Sequence, residues 1–191
     1  MLLMKDILQE GNPILRKRSI NALFPLTDED RETLRLMMEY IVNSQNGETS
    51  EKYGLRPAVG LAAPQIGVNR KLFCMHTPDE TGKSMHSYAV LNPTIISFSE
   101  EQTYLGSGEG CLSVPEDENG LVSRSKRIKV RTYLVDLETG KTEKVMLKLT
   151  GYPAIVFQHE YDHLQGILFV DKVKKDLPGI RPVVFASSEA E

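Results

Sequence analysis

Leu34, Met37, Met38, Ile41 and Val42 recur at helical spacing. Residues three and four apart share a helix face, so this stretch predicts a helix over 28–45 with its apolar stripe turned inward. Thr27 precedes it as an N-cap, and Asp28, Glu29 and Asp30 put negative charge in the first turn, where the helix dipole favours it. Further on the period changes to two. Ile128, Val130, Thr132 and Leu134 alternate with polar residues, as do Val145, Leu147 and Leu149. With the turn Glu138-Thr139-Gly140-Lys141 between them, 127–137 and 144–149 read as a hairpin with one buried face. Residues 70–75 and 88–92 read as strands across a polar turn at 79–83; Asn92-Pro93 ends the second, and 94–98 forms another. The polar stretch 43–57, with two glycines and a proline, reads as a loop without assignable chemistry.

The two ends are less regular. A short segment at Asp6 to Leu8 ends in the turn Gly11-Asn12-Pro13, and Ile14 and Leu15 open a basic stretch. Ile167 to Val170 reads as a short apolar strand or turn, followed by the charged stretch Asp171 to Asp176. Pro178 and Pro182 bar a long helix beyond it, and the chain trails off in polar residues after Phe185.

One stretch is apolar on nearly every side: Ala154, Ile155, Val156, Phe157, Tyr161 and Leu164. Pro153 suits a first helical position and Gly166 the residue after the last turn, so a buried helix is predicted between them. That helix carries His159, Glu160 and His163. The histidines, at i and i+4, share a face and can grip one metal ion. Glu160, about 100° round the helix, points beside the metal, where a base for a water belongs. Core histidines bonded to backbone are the alternative, but buried polar groups need partners, and the two helix boundaries favour the metal. A catalytic site of this kind takes three protein ligands and leaves a position open, so a third ligand must come from elsewhere.

Composition narrows the setting. The chain has 191 residues, 40% of them apolar and 26% charged, enough for one domain with a sizeable core. Together the elements imply a single α+β domain over 1–191, with antiparallel strands packed around a buried central helix and a further N-terminal helix. The formal net charge of −3 gives no case for wrapping nucleic acid, and no apolar run is long enough to span a bilayer. A charged, short N-terminal segment does not read as a signal peptide, so the expected location is the cytoplasm. There are two cysteines, Cys74 and Cys111, and in a reducing compartment a structural disulfide is not expected.

Cys111 follows the glycine-rich run Gly106-Ser107-Gly108-Glu109-Gly110 and is the candidate third ligand. A small buried apolar residue is the alternative role, but such cysteines more often sit within apolar strands. Val59 to Gly67 is a second stretch of small residues, open to close backbone approach, with Gln65 its one strongly polar side chain.

GLAAPQIG at 60–67, EGCLS at 109–113 and QHEYDHL at 158–164 stand in that order, and with these three motifs nearly the whole chain resembles the peptide deformylases. The resemblance implies a hydrolase that removes the formyl group from N-formylmethionyl nascent polypeptides. It implies Cys111, His159 and His163 as metal ligands and Glu160 as acid/base. It implies Gln65, helped by the Leu112 N–H, as donor to the developing oxyanion. It implies Fe²⁺ as the metal, with Ni²⁺, Co²⁺ or Zn²⁺ able to substitute. Val59, Gly60, Glu109, Gly110, Tyr152, Ile155 and Val156 are the residues it implies for substrate binding, with Leu112 beside the methionine side chain and Arg124 bracing Glu109. The polar insert before GLAAPQIG and the proline-containing C-terminal region are similar to the second, Gram-positive-type class. Ala58 stands where the first motif commonly has glycine. As partners the resemblance implies formylated peptides and leaves room for transient ribosome association, with no argument for direct nucleic-acid or membrane binding.

A metallopeptidase of the HExxH type is the enzymatic alternative, and it leaves Cys111 without a role. A structural metal module would need four protein ligands, and His76 and His86, read as part of a polar turn region, do not supply one.

Overall fold

The computed structural model describes residues 1–115 and 119–186; the acidic residues 116–118 and the polar end of the chain after Ala186 lie outside the described residues. Five antiparallel strands form one sheet in the order β1 (Gly60–Ala62), β2 (Leu72–Pro78), β3 (Met85–Phe98), β6 (Arg127–Val135) and β7 (Thr142–Thr150). A two-stranded sheet pairs β4 (Gln102–Thr103) with β5 (Arg124–Ser125). Helix α1 (Asp28–Gln45) packs on one face of the large sheet and α3 (Gly151–Leu164) on the other.

Alternation along β2 shows how two cores arise from one strand. Leu72 and Cys74 point to the α1 side, where they meet Leu34, Met37 and Ile41. Phe73 and Met75 point to the α3 side, among Ala154, Val156 and Phe157. A strand covered on both faces reads as a continuous apolar run, as this one does. Phe73 and Phe157 meet edge to face, with ring centroids 4.9 Å apart. Truncating either ring to alanine would cost about 3–5 kcal/mol, the usual penalty for an emptied aromatic site.

Helix α1 spans the predicted residues, with Thr27 accepting from the Asp30 N–H at its cap. The segment 43–57 is not wholly a loop. Residues Gly47–Tyr53 form α2, capped by Asn46, whose side chain accepts from Thr49 N–H, and closed by Gly54 in the left-handed region. Capping overrode the weak helix propensity of its glycine and polar residues. Asn92-Pro93 does not end a strand either. β3 runs on to Phe98 through a register shift between Leu91 and Thr94. Asn92 sits at φ 49° there, and its carboxamide is bonded to both the N–H and the C=O of Ala22. His76 and His86 belong to β2 and β3, not to the turn between them. Ile167 to Val170 is neither strand nor simple turn: Phe169–Lys172 is a 3-10 turn.

Helix α3 begins at Gly151, so Pro153 is its third residue rather than its first. Tyr152 N–H donates to the Glu80 carboxylate at 3.2 Å, which places a negative charge at the helix N-terminus. Gly166 ends the turn beyond α3 at φ 75°, and a side chain there would meet the Arg16 carbonyl. Among the described residues no helix is long and apolar enough to cross a membrane.

Candidate metal centre

Helix α3 places His159 and His163 one turn apart, and the loop between β4 and β5 brings Cys111 to them. One ligand atom from each lies within 4.8 Å of the other two. Cys111 Sγ and His163 Nε2 are 3.3 Å apart. A soft sulfur and two imidazole nitrogens converging in a buried pocket suit Fe²⁺, Zn²⁺ or a similar divalent ion. One orphaned atom agrees with that fit: Glu160 Oε2 is buried with no hydrogen-bond partner among the described residues, and buried polar atoms are rarely left so.

His159 is oriented by an ionic chain. His159 Nδ1–H donates to Glu109 Oε2 at 2.8 Å, which turns Nε2 away from Glu109. Arg124 grips the same carboxylate with two bonds of 2.8 Å and reaches Asp162 with its other nitrogen. Lys172 closes the chain, donating to both Asp162 oxygens. Burial pushes the Glu109 carboxyl upward, yet Arg124 and His159 outweigh it and hold the group down at about 2. Burial pulls His159 down, but Cys111 and Glu109 raise it well above the ordinary histidine range. Two such groups around one imidazole favour positive charge at this spot, which a bound metal also provides. His163 is held well below that range, by burial first and then by His159 and Arg124. A neutral imidazole is the form that ligates.

Glu160 sits behind Gly60. A Cβ on that glycine would come within 2.3 Å of Glu160 Oε1, so any side chain there would push the carboxylate from its place. Burial pushes the Glu160 carboxyl up to about 7, against the pull of His159 and with help from Glu109. Gln65 is equally constrained. Its Oε1 accepts from Ala62 N–H at 2.9 Å, which fixes Nε2 toward Ser113 Oγ at 3.1 Å and Cys111 Sγ at 3.4 Å. Among the described residues the Leu112 N–H donates no hydrogen bond, so it is free to act.

A groove of about 570 Å³ opens over these groups. It is lined by Val59, Gly60, Gln65, Glu109, Gly110, Cys111, Leu112, Tyr152, Ile155, Val156, His159 and Glu160, as the sequence reading gathers them. His163 lies beneath, nearly sealed from solvent. One role shifts. Glu109 offers the groove no free polar group: its carboxylate serves Arg124 and His159, and its backbone N–H and C=O pair with Gly120. Three further residues come only from the structure. Ser113 orients Gln65, and Asp162 anchors Arg124. Arg56, from the stretch read as a loop without chemistry, donates to the carbonyls of Cys111, Leu112 and Val114. The acidic residue in the middle of HEYDH was a usable signal for Asp162, and Ser113 closes the EGCLS motif; nothing local marks Arg56.

Comparison with known proteins agrees with this geometry. Residues 4–178 match the family described as polypeptide deformylase. The chain is 48% identical over 182 residues to peptide deformylase 2 of Bacillus anthracis, covering 95% of this chain and 96% of that one. It is 51% identical over 174 residues to a peptide deformylase of Halalkalibacterium halodurans, covering 91% and 92%. Among solved structures it is similar to peptide deformylase from Thermotoga maritima, with TM-score 0.64 and 36% identity over 88% of this chain and 96% of that one.

Proposed function

The chain belongs to the polypeptide deformylase family and removes the formyl group from N-formylmethionyl nascent polypeptides; from that premise we propose that Cys111, His159 and His163 hold one divalent metal ion and that Glu160, Gln65 and Leu112 carry the chemistry around it. Helix α3 then acts as the metal-carrying helix of the fold. Fe²⁺ is the proposed ion, with Ni²⁺, Co²⁺ or Zn²⁺ as substitutes, and the Cys/His/His set suits each of them. The higher-identity relatives and the α2 insert support placement in the second class.

A bound divalent ion supplies Lewis acidity, which brings the ionisation of a water within reach of neutral pH. Glu160 takes that water's proton, as the oxygen forms its bond to the formyl carbon. The same carboxyl then gives the proton to the leaving amine as the C–N bond breaks, so formate and a free N-terminus result. Burial favours the protonated form of this carboxyl, which suits it to hold the proton between the two transfers. Gln65 Nε2 and the Leu112 N–H donate to the formyl oxygen as negative charge develops there. Val59 and Gly60 offer the outer edge of β1 to the substrate backbone, a contact that accepts any following sequence. Tyr152, Ile155, Val156 and Leu112 provide the apolar wall for the methionine side chain.

The observation that carries this reading is the buried, unpartnered Glu160 oxygen beside a converging Cys/His/His set. Its test is formate release from formyl-Met-Ala-Ser, run beside cleavage of an unblocked peptide, on wild type and Glu160→Ala. The variant should keep about one metal per chain and lose at least ~10²–10⁴ in turnover. Loss of metal together with activity would make Glu160 a ligand or brace instead, and cleavage of the unblocked peptide would favour a peptidase.

A further inference from the structure

The face of the sheet that α1 covers continues past the helix onto β6 and β7, and there it is cationic. Alternation on β6 buries Ile128, Val130 and Thr132 and leaves Lys129 and Arg131 exposed. Register with β7 sets Lys129 directly opposite Lys148 and Arg131 opposite Met146, with Lys144 at the next exposed position of β7. Directly opposed residues bring their Cβ atoms to about 5 Å, and like charges in that relation destabilise a sheet. None of Lys129, Arg131, Lys144 and Lys148 forms an ion pair among the described residues, whereas their neighbours Lys126 and Arg127 share Glu101. All this occurs on a chain with three more acidic than basic groups.

Lysines commonly guard an edge strand against pairing with other sheets, and that accounts for Lys144 and Lys148 on β7. It does not account for Lys129 and Arg131, because β6 is an interior strand, paired on both sides. A cost retained on an inner strand suggests an anionic partner that relieves it.

We propose that the exposed β6–β7 face binds RNA through its phosphate backbone, without reading bases. Four unpaired cations on two adjacent strands match a polyanion of regular charge, and contacts to phosphates hold a strand without reading its bases. Apolar side chains border the patch as well, Met146 opposite Arg131 and the half-exposed Phe24 against Tyr133, so anionic vesicles serve as the competing outcome in the test. β6 lies three strand spacings, about 14 Å, from β1, so an RNA held there leaves the substrate groove open. Net charge conceals such a face because it sums over the whole surface.

The test uses metal-loaded full-length protein and fluorescein-labelled mixed-sequence RNA, followed by anisotropy across about 50 to 200 mM KCl. Four neutralised phosphates predict a log–log slope of about −3, which is roughly a 50-fold loss of affinity over that range. Lys129→Glu/Arg131→Glu should weaken binding by tenfold or more and flatten the slope by about half. Deformylation of formyl-Met-Ala-Ser should be unchanged, which separates failure of this surface from failure of the active-site reading. Lys144→Glu/Lys148→Glu serves as the independent variant, should the first fold poorly. No RNA binding at the lowest salt overturns the proposal. So does undiminished binding by both folded variants, and so does capture by phosphatidylserine vesicles but not by RNA.

Discussion

Glu160 is the residue on which stability and chemistry conflict. In protein stripped of metal its carboxyl is held at about 7, by burial first, with His159 and Arg124 pulling down and Glu109 pushing up. The unfolded carboxyl titrates near 4.3. Between those values the folded state holds the proton that the unfolded chain releases, so stability falls as pH rises through the window and levels off above it. The size is roughly 4 kcal/mol. Metal-free Glu160→Gln should therefore resist urea better than metal-free wild type at pH 8, and the gap should close near pH 4; equal midpoints at both pH values would contradict the buried, destabilised carboxyl. Gln65 makes the complementary case. Its carboxamide is fixed from one end by Ala62 and aimed from the other by Ser113. Gln65→Leu should keep its metal and lose roughly 10²–10³ in kcat, the usual cost of one oxyanion donor. Near-normal turnover in a metal-replete sample would remove Gln65 from the mechanism.

At the level of elements, the site depends on how closely β1 passes α3. Gly60 leaves the space that the Glu160 carboxylate fills, and even one methyl group would overlap it. Gly60→Ala should retain metal, because Cys111, His159 and His163 are not displaced. Its turnover should fall by about 10², the scale set by a misplacement of an ångström. Metal analysis and kinetics on one preparation check this; normal kcat would show that the strand or the carboxylate yields without consequence. The cysteine loop is held by a different device. Arg56 gathers three of its carbonyls, Gln9 bonds the Leu112 carbonyl as well, and Glu10 N–H binds that of Ser113. A glycine-rich segment is thereby fixed from outside rather than by its own propensity.

For the whole molecule, the proposed metal would join parts that are far apart in sequence. Cys111 comes from the loop between the small strands and the histidines from α3, so binding tightens a long closed segment. Anything that binds the folded state alone stabilises it by mass action, about 4 kcal/mol at a thousandfold excess over Kd. Chelation should lower the melting temperature and expose one thiol to alkylation, Cys111. Cys74 should stay unreactive in both states, since its buried thiol is pushed far upward, by burial first and then by Glu160. It also donates to the Leu34 carbonyl at 3.3 Å. Mass spectrometry of the alkylated protein decides the matter: labelling of Cys74 first, or labelling indifferent to metal, would count against Cys111 as a ligand.

The sequence by itself determined the elements whose signals are local. The 3.6-residue stripe of α1, the alternation of β6 and β7 and the i, i+4 histidines of α3 each lie within a few turns or strand lengths, and the structure contains them. Resemblance in three short motifs then gathered the groove residues. Only the tertiary structure decided what depends on distant partners. It made Asn92 a bulge rather than a strand end, because Ala22, seventy residues away, satisfies its side chain. It added His159 and Asp162 to the Arg124–Glu109 pair that the resemblance implied, and it gave Arg56 and Ser113 their contacts. It also set Lys129 against Lys148, since register across a hairpin fixes which charges face each other. Periodicity reports which face of an element is buried; it does not report what the burial brings alongside.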